Sequence, residues 1–203
     1  MCYNARLSGG TFLFVGLISA YLWTRNRGID RALALMLLVV VFMQLLEWGL
    51  WMFPGCGVVN KVITAAIPLY LALQPVALNW IVGQAGAGWA GGYGTIAVVA
   101  AALMVPAEFF YSLRNYGDCA YVDSAGHLVW KHVFSSMLSW LVYYPAMIYP
   151  FATLRNIPFS ILYLLFATLS HFKMKASHGA SWPSLWCHFV NTLAAFAVLR
   201  PGV

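Results

Sequence analysis

The sequence predicts an all-α, polytopic integral membrane protein with seven transmembrane helices in a single domain covering residues 1–203. Three observations predict it. The composition is 63% hydrophobic and only 8% charged, against roughly 25% charge in an average soluble domain, and the mean hydropathy is +0.80. The apolar residues come in blocks that reach the length of about 20 residues needed to cross a bilayer. The blocks are separated by short polar joints, which leave no room for a soluble domain.

The spans are placed at 7–24, 32–53, 58–82, 93–113, 133–153, 156–172 and 183–200. Span one follows Arg6 and ends at Trp23-Thr24-Arg25, with no small-x-small site after it, so it reads as a retained helix and not as a signal peptide. Span two stops at Pro54-Gly55. Span three carries Pro68 and Pro75, and span four carries Pro106. Proline removes a backbone hydrogen bond and clashes with the preceding turn, so breaks are expected there. A glycine-rich joint from Gly83 to Gly94 separates the two spans. The polar insert from Arg114 to Lys131 reads as a small β-hairpin, with Tyr121-Val122 and His127 to Trp130 flanking Asp123-Ser124-Ala125-Gly126. Arg155-Asn156-Ile157-Pro158 divides spans five and six, and Pro183 opens span seven in the first-turn position.

The net charge of +6 does not point to nucleic acid, because the basic residues stand singly at span ends, where they anchor to lipid head groups. The expected partners are the lipid bilayer and, through small residues such as Ala97 and Ala101 on one face of span four, further copies of the chain in a homo-oligomer.

An odd number of crossings gathers the chemistry on one side. The N-terminus and the joints after spans two, four and six share that side. It holds Cys2, Cys56, Cys119 and Cys187, all five histidines, and Glu47, Glu108, Asp118 and Asp123. The other side holds Arg25, Arg27, Arg31, Arg155 and Arg200, with Asp30 as its acid. The arginine cluster of the first joint favours a cytoplasmic position for that joint, so the cysteine face is expected to be non-cytoplasmic. Cys56 with Cys119, and Cys2 with Cys187, are disulfide candidates, although four cysteines allow three pairings.

Glu47 is the residue most in need of an explanation. It lies in Gln44-Leu45-Leu46-Glu47-Trp48-Gly49, and an acid at the bilayer centre costs at least about 2–3 kcal/mol. Gln44, one turn earlier, can hydrogen-bond it. Glu47 reads as an ion, proton or metal ligand, or else as a structural acid between helices. Asn60, Gln74, Glu108 and Asn191 are further candidates for a substrate or ion path, or for interhelical hydrogen bonds. Cys2, Glu47, His178 and Cys187 could meet as a metal site, and thiolate with imidazole suits Zn or Cu. Trp48, Trp51, Trp130, Trp182 and Trp186 read as an interfacial aromatic belt.

Other motifs are set aside. Gly86-x-Gly88-x-x-Gly91 matches the dinucleotide fingerprint but follows no strand. Span seven has no lysine for a retinal Schiff base, and no Gly-x-Ser-x-Gly elbow is present.

Taken together, the landmarks resemble an uncharacterised membrane protein family of large DNA viruses and some microbes. The resemblance is carried by the order of Met1-Cys2 through Ser8, Gln44 to Glu47 with Trp51, Gln74-Pro75, His127 to Trp130, and Ser184-Leu185-Trp186-Cys187 with Asn191. It departs from the family pattern at His188, where an aromatic is expected. The resemblance implies no activity, and marks Cys2, Gln44, Glu47, Gln74 and Cys187 as positions of interest.

Three functions are expected from these residues. A small transporter or channel is the first, and requires polar groups at several depths. A membrane-embedded enzyme, with or without a metal, working at the cysteine face is the second. A structural or receptor-like subunit of a membrane complex is the third.

Overall fold

The computed structural model describes residues 4–86, 92–131, 133–153 and 189–199, with isolated helical positions between 161 and 177. The chain is mostly helical. Its elements are α1 (Ala5–Arg25), α2 (Asp30–Met52), α3 (Val58–Gln84), α4 (Gly92–Arg114), β1 (Tyr121–Val122), β2 (Leu128–Val129), α5 (Met137–Ala152) and α6 (Phe189–Leu199). Helices α1, α2 and α3 are long and apolar enough to cross a membrane. Most of the expected sixth span, 156–172, lies outside the described residues, as does the first part of the seventh.

Local chemistry sets the helix ends. Asn4 caps α1 by accepting the Leu7 N–H at 2.9 Å. At the other end Asn26 adopts the left-handed conformation with φ 48°, and its N–H returns to the Leu22 carbonyl. Gly28, at φ 53°, completes the tight reversal into α2. Helix α5 begins at Met137 and not at residue 133, because Ser136 is its cap and accepts the Ser139 N–H.

One expectation is corrected here. Neither α3 nor α4 is interrupted at its prolines; α3 runs 27 residues through Pro68 and Pro75, and α4 runs 23 through Pro106. Neighbouring helices and polar side chains can satisfy the backbone groups that proline frees inside a membrane protein.

Helix α2 is central, packing on α1, α3 and α6, while α3, α4 and α5 pack on one another. Its buried positions cover a wide arc, from Asp30 and Leu33 through Met36, Val41 and Gln44 to Glu47 and Leu50, while Leu35, Leu38 and Phe42 form an exposed apolar stripe on the remaining side. That pattern is expected of a helix packed by others on more than one side. By contrast α1 buries one stripe, Ser8, Thr11, Val15, Ser19 and Leu22, and exposes Leu13, Phe14, Leu17 and Tyr21 on its outer side. The exposed apolar side chains of α1, α3, α4 and α5, such as Leu17, Trp80, Leu103 and Leu141, form the kind of surface that lipid covers.

The insert after α4 forms the expected hairpin. Tyr121 pairs with Val129 and Val122 with Leu128, antiparallel. Asp123 holds the turn by accepting the N–H groups of Ala125 and His127. Leu128, Val129 and Trp130 are buried beneath it. Trp130 therefore belongs to the packed core and not to an interfacial belt.

Candidate functional site

Two of the expected residues meet by local geometry. Gln44 Nε2 donates to Glu47 Oε2 at 2.7 Å, as an i, i+3 pair on one helix face should. Both side chains are fully buried. A carboxyl withdrawn from water needs hydrogen-bond donors or a compensating charge close by, and Gln44 supplies one such donor.

Asn191 sits on the neighbouring helix. Its Nδ2 donates to Thr11 Oγ1 at 3.0 Å, tying α6 to α1. Ser8 lies one turn before Thr11 on the same buried face of α1. Among the described residues, Ser8 Oγ and Asn191 Oδ1 are buried without a hydrogen-bond partner. In the sequence Ser8 enters only as the end of the opening stretch of the resemblance, and Thr11 is not singled out; their i, i+3 spacing on an otherwise apolar helix is the signal that could have found them.

Asn60, Gln74 and Glu108 are each found elsewhere, joining separate parts of the chain. Asn60 Nδ2 donates to the Phe53 carbonyl at 3.1 Å and the Ala120 carbonyl at 3.2 Å. Its Oδ1 accepts from Ala120 N–H at 3.0 Å and Thr64 Oγ1 at 3.0 Å. The amide thus pairs with the backbone of Ala120 as a strand neighbour would. Gln74 Nε2 donates to the Val39 carbonyl at 3.3 Å, and its Oε1 accepts from the Tyr143 hydroxyl at 3.0 Å. Helices α2, α3 and α5 are joined there, and the Tyr70 hydroxyl donates to the same Val39 carbonyl.

Glu108 on α4 receives the start of α5. Its carboxylate accepts from Ser135 N–H at 2.9 Å, Ser135 Oγ at 2.6 Å and Ser139 Oγ at 2.5 Å. A carboxylate beside a helix N-terminus also meets the positive end of the helix dipole. Its partners Ser135 and Ser139 were not anticipated.

A disulfide joins Cys56 and Cys119, with Cα atoms 5.5 Å apart. It lies next to the Asn60–Ala120 pairing and ties the α2–α3 joint to the hairpin insert. The second candidate pair, Cys2 with Cys187, lies outside the described residues. So do Cys2, His178 and Cys187 of the expected metal set, and the described residues hold no group of three or more His, Cys, Asp and Glu arranged for a metal.

The opposite end of the bundle carries an ion pair. Arg25 Nε and Nη2 bond the two oxygens of Asp30 at 2.6 and 2.8 Å, and the Arg27 N–H joins at 2.9 Å. Arg25 also donates to the Val198 and Ala197 carbonyls at 3.0 and 3.2 Å. Those carbonyls belong to the last described turn of α6, where helix carbonyls commonly need partners from outside the helix. Polar groups are therefore buried at both ends of α1, α2 and α6 and, through Gln74, Asn79 and Tyr143, at intermediate positions on α3 and α5. The chain matches no known protein family, no curated protein and no solved structure.

Proposed function

We propose that the protein is a small membrane transporter or channel for a proton or small cation, with Glu47 as its central group. The observation that carries the reading is the burial of Glu47. A carboxyl with no exposed surface sits on a helix that packs against two others, with the Gln44 amide on its own helix, the Thr11 hydroxyl on α1 and the Asn191 amide on α6. Structural needs alone favour apolar contacts at such a junction, and intramembrane acids mark ion or proton paths by default. The buried state described here would be the occluded one of a transport cycle. The reading takes the chain as a seven-span protein. It takes the cysteine face as non-cytoplasmic, in line with a disulfide between Cys56 and Cys119, since disulfides persist in oxidising compartments. The likeness to the uncharacterised viral membrane family is kept as part of this proposal, through Gln44, Glu47 and Gln74.

The test is flux through purified protein in liposomes. An imposed membrane potential should drive proton or sodium entry through the wild type. Glu47→Gln should lower the rate by roughly tenfold or more while the protein remains monodisperse and helical. Equal flux in the two proteins would overturn the assignment, as would no flux above empty liposomes.

A second reading, a structural or receptor-like subunit of a membrane complex, is favoured by the hydrogen bonds of Asn60, Gln74, Asn79 and Glu108. Each joins elements distant in the chain. On that reading Glu47→Gln leaves complex formation intact and abolishes no flux. An enzyme reading rests on Cys2, His178 and Cys187, outside the described residues.

A further inference from the structure

Residues 25–31 join α1 to α2 and carry three arginines, Arg25, Arg27 and Arg31, against one acid, Asp30. Asp30 has no exposed surface and takes the Arg25 guanidinium inward, at 2.6 and 2.8 Å. Arg27 and Arg31 stand at the surface. The left-handed residues Asn26 and Gly28 reverse the chain, so the end of α1 meets the start of α2. There the Arg31 Cζ lies 5.2 Å from the centre of the Trp23 ring. A ring face attracts and orients a guanidinium, but it carries no carboxylate and cannot neutralise the charge. Tryptophan settles at the depth of lipid head groups, so Arg31 is held at that depth as well.

The helix face that continues from Arg31 into the bilayer is apolar and open. Positions i, i+4, i+7 and i+11 of a helix share one side. Here they are Arg31, Leu35, Leu38 and Phe42, and all four are exposed. Ala34, Leu37 and Val41, which lie between them in the chain, are buried. The exposed side chains therefore form a narrow track with a cation at its head. At a rise of about 1.5 Å per residue the track from Arg31 to Phe42 is about 16 Å long. That is close to one leaflet of a hydrocarbon core about 30 Å thick. Its inner end is bounded by α3, where the Tyr70 ring packs on Phe42 at 5.0 Å.

We propose that this corner binds one anionic phospholipid, with its phosphate on Arg31 beside Trp23 and an acyl chain along Leu35, Leu38 and Phe42. A guanidinium matches a phosphate with two parallel hydrogen bonds. The arginines select a headgroup of net negative charge, because they repel the cation of a choline or ethanolamine headgroup. A soluble phosphate would meet the guanidinium but leave the track uncovered. Basic residues near a membrane surface attract anionic lipid in a general way. The arrangement here is narrower: one cation, one ring and one track on two adjoining helices fit a single lipid. The arginine end is the one read above as cytoplasmic, and anionic lipids concentrate in that leaflet. Such a lipid binds whatever ion Glu47 handles.

The experiment is native mass spectrometry of the delipidated full chain in detergent, titrated with phosphatidylglycerol or with phosphatidylcholine of the same acyl chains. The wild type should take up its first phosphatidylglycerol roughly tenfold more tightly than phosphatidylcholine, the equivalent of about 1.4 kcal/mol. Arg31→Gln should remove that preference, while its unfolding midpoint without lipid stays at the wild-type value. Arg31→Lys keeps the charge but not the fork, and should fall between the two. Arg114→Gln, at the opposite end of the bundle beside the disulfide-tied insert, should leave the preference unchanged. Leu35→Ser combined with Leu38→Ser should weaken the first phosphatidylglycerol severalfold. Equal affinity of the wild type for the two lipids overturns the site, as does an equal loss in Arg31→Gln and Arg114→Gln. Glycerol phosphate, which has the headgroup and no acyl chains, should not compete; competition at the lipid's own concentration would replace the lipid site with a simple phosphate site.

Discussion

Asn79 on α3 holds a backbone carbonyl that Pro150 cannot bond on α5. In a regular helix the Ala146 carbonyl would accept the N–H of residue 150, but proline has none. Asn79 Nδ2 fills the place at 2.8 Å while also donating to the Pro75 carbonyl of its own helix at 2.7 Å. A defect in one helix is thereby turned into a tie to another. Asn79→Ala should destabilise the protein by about 1–2 kcal/mol, read as a lower unfolding midpoint in detergent. The cost should shrink when combined with Pro150→Ala, which restores the missing donor. Strict additivity of the two changes would show that the carbonyl is not their common target.

The Arg25–Asp30 pair supports α6 from outside that helix. Asp30 is fully buried, and Arg25 spends its remaining hydrogens on the Ala197 and Val198 carbonyls. Asp30→Asn should cost about 3 kcal/mol, because it leaves a largely buried guanidinium without its counter-charge. Removing both partners with Arg25→Ala and Asp30→Ala should cost less than the sum of the single changes. Protease digestion should show the C-terminal segment released first. An unaltered digestion pattern in Asp30→Asn would mean that α6 is held by its apolar contacts alone.

Two ties hold the hairpin insert, and each should cover for the other. The Cys56–Cys119 bond closes a segment across a separation of 63 residues, which stabilises by about 4 kcal/mol through the unfolded chain. Asn60 and Thr64 clamp Ala120 independently. Cys56→Ser with Cys119→Ser, or Asn60→Ala, should each leave the hairpin resistant to protease, and the triple variant should lose that protection. Mass spectrometry of protein taken from cell membranes under alkylating conditions checks the orientation as well. A reduced pair there would argue against the non-cytoplasmic placement of the cysteine face.

Glu108 should act through charge as well as shape. Gln at this position keeps one acceptor oxygen but loses the charge that strengthens the bonds from Ser135 and Ser139. Glu108→Gln should lower stability by about 2 kcal/mol, and Glu108→Ala should lower it further. Hydrogen exchange at the first turn of α5 reads the effect directly. Faster exchange confined to α4, with α5 unchanged, would place the role of Glu108 within its own helix.

What the sequence by itself determined is local. Runs of apolar residues and their flanking caps located α1 to α5 within a few residues, because span length and capping depend on neighbours in the chain. The hairpin at Tyr121 to Val129 and the Gln44–Glu47 pair were legible for the same reason, since turn residues and i, i+3 spacing act over a few positions. The Cys56–Cys119 pairing was one of three open choices. Only the tertiary structure decided how the helices rotate and register against one another. That decision set Asn60 on Ala120, Gln74 on Tyr143, Glu108 on Ser135 and Ser139, Thr11 on Asn191, and Arg25 on the end of α6. Hydropathy reports that a residue type is costly to bury, but a lipid-exposed face and a helix-packed face are equally apolar. The partner that relieves the cost is therefore invisible until the helices are packed.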